Sequence, residues 1–150
     1  MTIRLQIASE TDLTTLLPLM ERFYTHFGYP YVPVVQQQVV TNFLAHPDWG
    51  SLWLLEDDGQ AVGYVALTYG FTFEFQGRDA FVDELFILDS HRNQGAGSYA
   101  LQFIQQQASA LGLVAIHLQT EAYNSRARKL YEQLGFVDGK RQTLTWRIRS

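Results

Sequence analysis

The residues from Arg92 to Ser98, in the order Arg-Asn-Gln-Gly-Ala-Gly-Ser, gather a guanidinium, two glycines and a hydroxyl into one short stretch. Such a set could hold an anion. Gly95 and Gly97 would let the main chain come close to a phosphate, and a helix starting here would aim its unpaired N–H groups and positive dipole end at the same point. Arg92 and the Ser98 hydroxyl would add direct contacts. Other phosphate loops fit less well: a Walker loop requires Gly-x-x-x-x-Gly-Lys-Ser/Thr, which is absent, and a dinucleotide fingerprint calls for a third glycine near residue 100, where Ala100 stands. Upstream lie the acids Asp83 and Glu84, which strand alternation would send to opposite faces. Tyr24, His26, Phe27, Tyr29 and Tyr31 crowd together nearer the N-terminus, where their rings could cage a cation or simply pack two helices. The histidines at 26, 46, 91 and 117 have no ligand spacing, so no metal is expected.

These groups must be positioned by a chain of 150 residues, a length that suits one compact domain spanning 1–150. With 47% hydrophobic and 17% charged residues the composition supports an ordinary core. The net charge of -4 argues against nucleic acid or an anionic membrane as partner, since either needs a concentrated basic face. A cationic or neutral partner is easier. The absence of cysteine excludes disulfides, thiolate metal sites and a cysteine nucleophile. The N-terminal residues have neither the pattern of a signal peptide nor a run that could span a bilayer, so a cytoplasmic location is expected.

Hydrophobic periodicity predicts a strand at residues 3–7, then a helix to about His26 that Pro18 should kink or split into two. After the loop from Phe27 to Pro33, a second helix is expected at about 34–45. Strands near 51–55 and 61–73 flank the turn Glu56-Asp57-Asp58-Gly59-Gln60, and a third strand at 80–88 follows the break at 76–79, giving an antiparallel meander. That meander contradicts the repeated parallel units of a dinucleotide fold. A helix over 98–111, a strand at 114–118, a helix over 124–134 and a strand pair turning at Asp138-Gly139-Lys140 complete the order. Strands joined through a helix should lie parallel, so those at 80–88 and 114–118 are expected as neighbours. The last strand pair is an edge at which two copies could form a homodimer.

The spacing Arg-x-x-Gly-x-Gly, at Arg92, Gly95 and Gly97, resembles the pyrophosphate loop of the GNAT superfamily of N-acetyltransferases. A second block, Asn124-Ser125-Arg126-Ala127-Arg128-Lys129-Leu130-Tyr131-Glu132-Gln133-Leu134-Gly135-Phe136, is similar to that family's signature Asn-x-x-Ala-x-x-Leu-Tyr-x-x-Leu-Gly-Phe. The specific motifs occupy residues 83–136, whereas the N-terminal half resembles the family by element order alone. The resemblance implies an α/β (α+β) fold: a mixed, mostly antiparallel sheet of six to seven strands, with about four flanking helices, splayed between the fourth and fifth strands. It also implies transfer of an acetyl group from acetyl-CoA to an amine, directly, in a ternary complex. A non-catalytic CoA-binding or regulatory module of the same fold is the alternative.

By the same resemblance the cofactor would lie against Leu85, Phe86 and Ile87, then against Arg92, Asn93, Gln94, Gly95, Ala96, Gly97 and Ser98, with Asn124, Ala127 and Tyr131 adding contacts. Asn124 would equally serve as a helix cap. Tyr131 matches a tyrosine placed beside the cofactor sulfur, where a phenol could act as general acid; it also lies on a stripe with Ala127, Leu130 and Leu134 that could simply pack. Asp83 and Glu84 are the candidates for the base, acting through water. The similar polyamine acetyltransferases turn both carboxylates to the amine region, which a bulge in this strand would permit. Tyr24, Phe27, Tyr29 and Tyr31, with the acids Glu74 and Glu121, would bind a small amine, a polyamine or a peptide amine.

Overall fold

Alternation of Ile3, Leu5 and Ile7 with polar residues yields β1 (Ile3–Ile7), which pairs antiparallel with β2 (Gly50–Asp57). A computed structural model describes residues 2–149. Asp58 and Gly59, at φ 51° and 82°, return the chain into β3 (Gln60–Thr72). Two consecutive positive φ angles make the tight hairpin turn whose twist matches its strands. β3 pairs antiparallel with β4 (Gly77–Ile87), and β5 (Ala115–His117) adds to β4 in parallel, so the strand order is that of the chain. The helices are α1 (Leu13–Phe27), α2 (Pro33–Leu44), α3 (Ala96–Gln107) and α4 (Ser125–Gln133). The fold is thus mixed α/β, with one mostly antiparallel sheet. The chain divides into two compact units, one running to Gln119 and one beginning at Thr120.

In the first unit both faces of the sheet are covered. Leu16, Leu19, Met20 and Phe23 of α1 and Val40 of α2 pack with Leu52, Leu54, Tyr64 and Phe86, while Ala100 and Ile104 of α3 pack on the other face with Trp53, Leu55, Val65 and Leu67. Successive strand residues therefore enter different cores, as the two-residue period requires.

Pro18 neither splits α1 into two helices nor ends it; a single helix of 15 residues contains it. An interior proline costs about 3 kcal/mol. Burial of Leu16, Leu19, Met20 and Phe23 recovers about 1.5 to 3 kcal/mol each and outweighs that loss. The entry is also fixed, because the Ser9 N–H donates to Asp12 Oδ2 at 2.8 Å in a reciprocal cap.

The expected six to seven strands reduce to five among the described residues. The missing two are the pair at residues 136–148. Its turn exists, with Lys140 at φ 57° and its N–H donating to Asp138 Oδ1 at 2.7 Å. Its arms form no ladder, and Leu144, Trp146 and Ile148 are exposed. Alternation supplies a face for a strand, but a strand also needs an edge to bond with.

Gly63 shows how tightly β3 and β4 meet: a Cβ there would lie 2.2 Å from the Phe86 carbonyl oxygen. Backbone on a neighbouring strand cannot turn aside. Gly63→Ala should therefore cost about 1 to 3 kcal/mol through overpacking, a drop in Tm of roughly 2 to 10 °C for a chain of this size. An unchanged Tm would show that this ladder has slack.

Candidate active site

The site begins with how β4 spends its backbone. Its parallel pairing with β5 covers Asp79, Ala80 and Phe81, and among the described residues β4 then runs on to Ile87 with no partner on that side. The Leu88 N–H donates to Val62 O at 2.8 Å, which makes 62 and 88 a bonded pair with β3. Bonded pairs alternate along an antiparallel ladder, so Phe86 bonds to Tyr64 while Leu85 and Ile87 turn their N–H and C=O groups to the open edge. The expected opening between the fourth and fifth strands is thus lined by polar backbone that an extended ligand could pair with. Phe86 instead buries its ring against α1.

Beyond Ile87, a turn of 3₁₀ helix at Asp89–His91 leads through Arg92 and Asn93 to Gly95, which caps α3 at φ 87°. The glycine supplies a left-handed conformation that costs other residues energy. Ala96, Gly97 and Ser98 form the first turn of α3, so their N–H groups have no acceptor within the helix. Arg92 is held in place: its Nε donates to Ile87 O at 2.8 Å, its Nη1 meets Asp89 Oδ1 at 2.8 Å, and its guanidinium lies 5.5 Å from the Phe86 ring. Gln94 donates to Ser90 O at 3.0 Å, and Asn93 adopts φ 62°. A chain of side chains the sequence reading missed ties this turn to the sheet. Ser90 Oγ meets His91 Nδ1 at 2.8 Å, and His91 Nε2 meets Asp57 Oδ2 at 2.8 Å. The Thr2 N–H and then His91 hold the Asp57 carboxyl below the ordinary carboxylate range.

β4 carries one extra residue at Asp83. Glu84 opposes Ala66 and Val82 opposes Leu67, so Asp83 has no opposite number and forms a β-bulge. Before it, Ala80 and Val82 face α3; after it, Leu85 and Ile87 do. The extra residue therefore moves Glu84 to the α1 face with Phe86. There Tyr64 donates to Glu84 Oε1 at 2.8 Å and Tyr24 to Oε2 at 2.9 Å. Burial raises the pKa of Glu84, opposed by the two phenols and assisted by the charge of Asp83. Tyr24 is pushed up to about 12 by burial and then by Glu84, and the fully buried Tyr64 is raised for the same reasons. Both phenols stay protonated, as donors must. Asp83 lies open to solvent, yet the protein crowding its carboxyl still raises it.

Of the aromatic residues, Tyr24 joins the acids, and its ring meets Tyr29 at 5.9 Å and Tyr31 at 5.7 Å, both edge-on. Phe27 stacks on Tyr29 at 5.7 Å. Tyr31 donates to Leu17 O at 3.1 Å, so its hydroxyl ties α1 to the loop that follows. Glu74 is not near these rings: it sits in the β3–β4 turn, about 23 Å of strand from Glu84 at a rise of ~3.3 Å per residue. Tyr64, the other partner of Glu84, was missed; a tyrosine inside the apolar run from Val62 to Leu67 was the available signal, because a buried phenol needs a partner.

Asn124, Ala127, Tyr131 and Glu121 belong to the second unit. Asn124 caps α4, accepting the Ala127 N–H at 3.1 Å. Ala127, Leu130, Tyr131 and Leu134 are its half-buried stripe, and burial raises the Tyr131 phenol. Gly135, at φ 93°, ends the helix and lets the Phe136 N–H return to Tyr131 O at 3.0 Å. Glu121 is exposed, its carbonyl accepting the Asn124 N–H at 3.0 Å.

Residues 15–136 match the model of the acetyltransferase (GNAT) family. An uncharacterized N-acetyltransferase of Bacillus subtilis is 32% identical over 85 residues, 57% of each protein. A D-amino-acid N-acetyltransferase of Saccharomyces cerevisiae is 26% identical over 92 residues, 61% of this chain and 57% of that protein. The matches thus span little more than half of these relatives. An integron cassette protein from a salt-marsh metagenome has a solved structure of the same fold, with TM-score 0.87 and 29% identity over 97% of this chain and 91% of that one.

A carboxyl raised in the fold binds its proton more tightly folded than unfolded. Its contribution to stability is present below the unfolded pKa and lost as pH rises through the folded value. Glu84 is such a group. Relative to wild type, Glu84→Gln should therefore gain in Tm between pH 4 and pH 7, measured by thermal melts across that range. A Tm difference that stays constant with pH would mean that Glu84 is not buried as a charge.

Proposed function

The chain belongs to the acetyltransferase (GNAT) family, and from that premise we propose that it transfers an acetyl group from acetyl-CoA to a primary amine, directly, in a ternary complex. One observation carries the reading: among the described residues the edge of β4 at Leu85 and Ile87 has no strand partner, with Arg92 on the Ile87 carbonyl, and it runs straight into the first turn of α3. A ligand with an amide-bearing arm and a pyrophosphate matches that sequence of donors and acceptors. The amides of Ala96, Gly97 and Ser98 would take the phosphates, and Arg92, held by Ile87 and Asp89, would add positive charge beside them. Acetyl-CoA supplies the acetyl group as an activated thioester.

On the acceptor side, Asp83 and Glu84 create a negative field beneath the rings of Tyr24 and Tyr29. Glu84 has both oxygens occupied by phenols, so its part is to hold charge in place and align Tyr24. Asp83, exposed at the bulge, is the carboxylate that can meet an incoming ammonium. By the family resemblance Tyr131, whose phenol is raised by burial, would be the acid for the departing thiolate. The acid pair favours a small cationic amine, polyamines included, over a peptide amine. A small acceptor also suits the D-amino-acid specificity in the name of the yeast relative.

Acetyl-CoA at a hundred times its Kd should stabilise the protein by about 2.7 kcal/mol, which is roughly 5 to 10 °C in Tm; ATP and NAD should produce no such shift. With a panel of mono-, di- and polyamines and amino acids assayed for CoA release, Tyr131→Phe should lower kcat and Asp83→Asn should lower kcat/KM for the amine. Each should leave the acetyl-CoA shift intact. No shift with acetyl-CoA would end the proposal, and full turnover in Tyr131→Phe would remove its acid role.

A further inference from the structure

An ammonium drawn in by Asp83 arrives charged, and a carboxylate stabilises that charged form. Something else should accept its proton. Glu84 is engaged on both oxygens by Tyr24 and Tyr64. On the same face of β4 lies a second set of groups, at the point where β4 and β5 part. Asp79 and Phe81 alternate with Ala80 and Val82, which face α3, so both point to the face that carries Glu84. His117, the last residue of β5, is opposite Phe81 in the parallel register and shares that face, its ring 5.0 Å from that of Phe81. The bulge at Asp83 is two residues further along β4, about 7 Å at the ordinary strand rise.

His117 Nε2 lies 2.9 Å from Asp79 Oδ2. A carboxylate there accepts from Nε2–H, which leaves the lone pair on Nδ1. Among the described residues Nδ1 has no hydrogen-bond partner. The arrangement is that of a base oriented by a buried acid. Asp79 is only 8% exposed, and the bare Gly70 opposite makes room for it, since a Cβ there would come within 3.0 Å of Asp79 Oδ1. Phe75, with its ring 5.5 Å away, and Phe81 flank the imidazole. Asp79 is the hydrogen-bond partner of the ring, Phe75 of the turn and Phe81 of β4 flank it, and the turn also carries the carboxylate of Glu74 beside Phe75.

We propose that His117, oriented by Asp79, is the proton acceptor for the amine, with Asp83 as the ammonium's binding partner. The inference rests on the acetyl-transfer reading above. One proton passes from the ammonium to His117 Nδ1 and then to solvent. The freed lone pair forms the N–C bond as the C–S bond breaks, and the second proton lost by nitrogen ends on the CoA thiolate. A neutral imidazole accepts its proton without adding negative charge to a face that already carries two acids.

Three measurements test this. In the wild-type protein alone, nitrogen NMR of the imidazoles should show His117 as the Nε2–H tautomer, a preference that Asp79→Asn weakens. His117→Gln should lower kcat/KM for the amine by about 10² to 10³, within the range of general-base effects, and remove the acidic limb of the pH profile. The Tm shift with acetyl-CoA should stay as in wild type. His117→Ala should regain part of its turnover when free imidazole is added. An Nδ1–H tautomer, or wild-type turnover and pH profile in His117→Gln, overturns the proton role alone. A wild-type protein that acetylates none of the amines overturns the transfer reading, and this one with it.

Discussion

An antiparallel ladder allows each residue to bond on one side only, and the single extra residue in β4 has to be accommodated within that rule. Had the register stayed regular, Glu84 would have followed Ala80 and Val82 into the α3 core. The bulge at Asp83 instead sends Glu84 to the α1 face, while Leu85 and Ile87 rejoin the α3 core by their side chains and turn their backbone to the open edge. One insertion thus establishes where the acids sit and which backbone groups face the neighbouring edge. The short partnership with β5 completes this, because the ladder ends at Phe81 and, among the described residues, β4 from Val82 onward has no strand on that side.

The same displacement explains the tyrosines. A carboxylate moved into a half-buried place loses hydration worth several kcal/mol and needs donors. Tyr24 comes from α1 and Tyr64 from β3, so one acid binds a helix to the sheet at a point where apolar packing alone would hold them. The cost is visible in all three groups, whose pKa values are raised by burial. Such a triad keeps its charge fixed in position. That suits an element meant to attract a cation more than one meant to exchange protons, and it directs attention to the imidazole at the head of the splay.

Much of this architecture is readable from residue order. The turn from Arg92 to Ser98 is legible because glycine, arginine and a helix start have one joint physical use, and the block from Asn124 to Phe136 because its ends are chemical signals: Asn124 caps α4 and Gly135 ends it with a left-handed residue. The hairpin at Asp58-Gly59 is equally local. What escaped depends on tertiary context. Pro18 reads as a break until four buried side chains outweigh it. The alternation at Leu144, Trp146 and Ile148 reads as a strand, although no alternation can supply the edge it would bond to. The length of β4 that separates Glu74 from the rings around Tyr24 is not apparent from charge. Asp79 and His117, 38 positions apart, meet only because β5 is parallel to β4.

The chain of contacts from Asp57 through His91 to Ser90 links the end of β2 to the turn that precedes α3. Ordering a free backbone costs about 1 to 2 kcal/mol per residue, and a flexible glycine-rich turn would charge that cost to each ligand it closed around. Here the turn is tied to the sheet before any ligand arrives, with Arg92 pinned to Ile87 at its base. Its conformational entropy is lost once, during folding. The turn then acts as a preformed mould, and the affinity of whatever it holds reflects contact more than ordering.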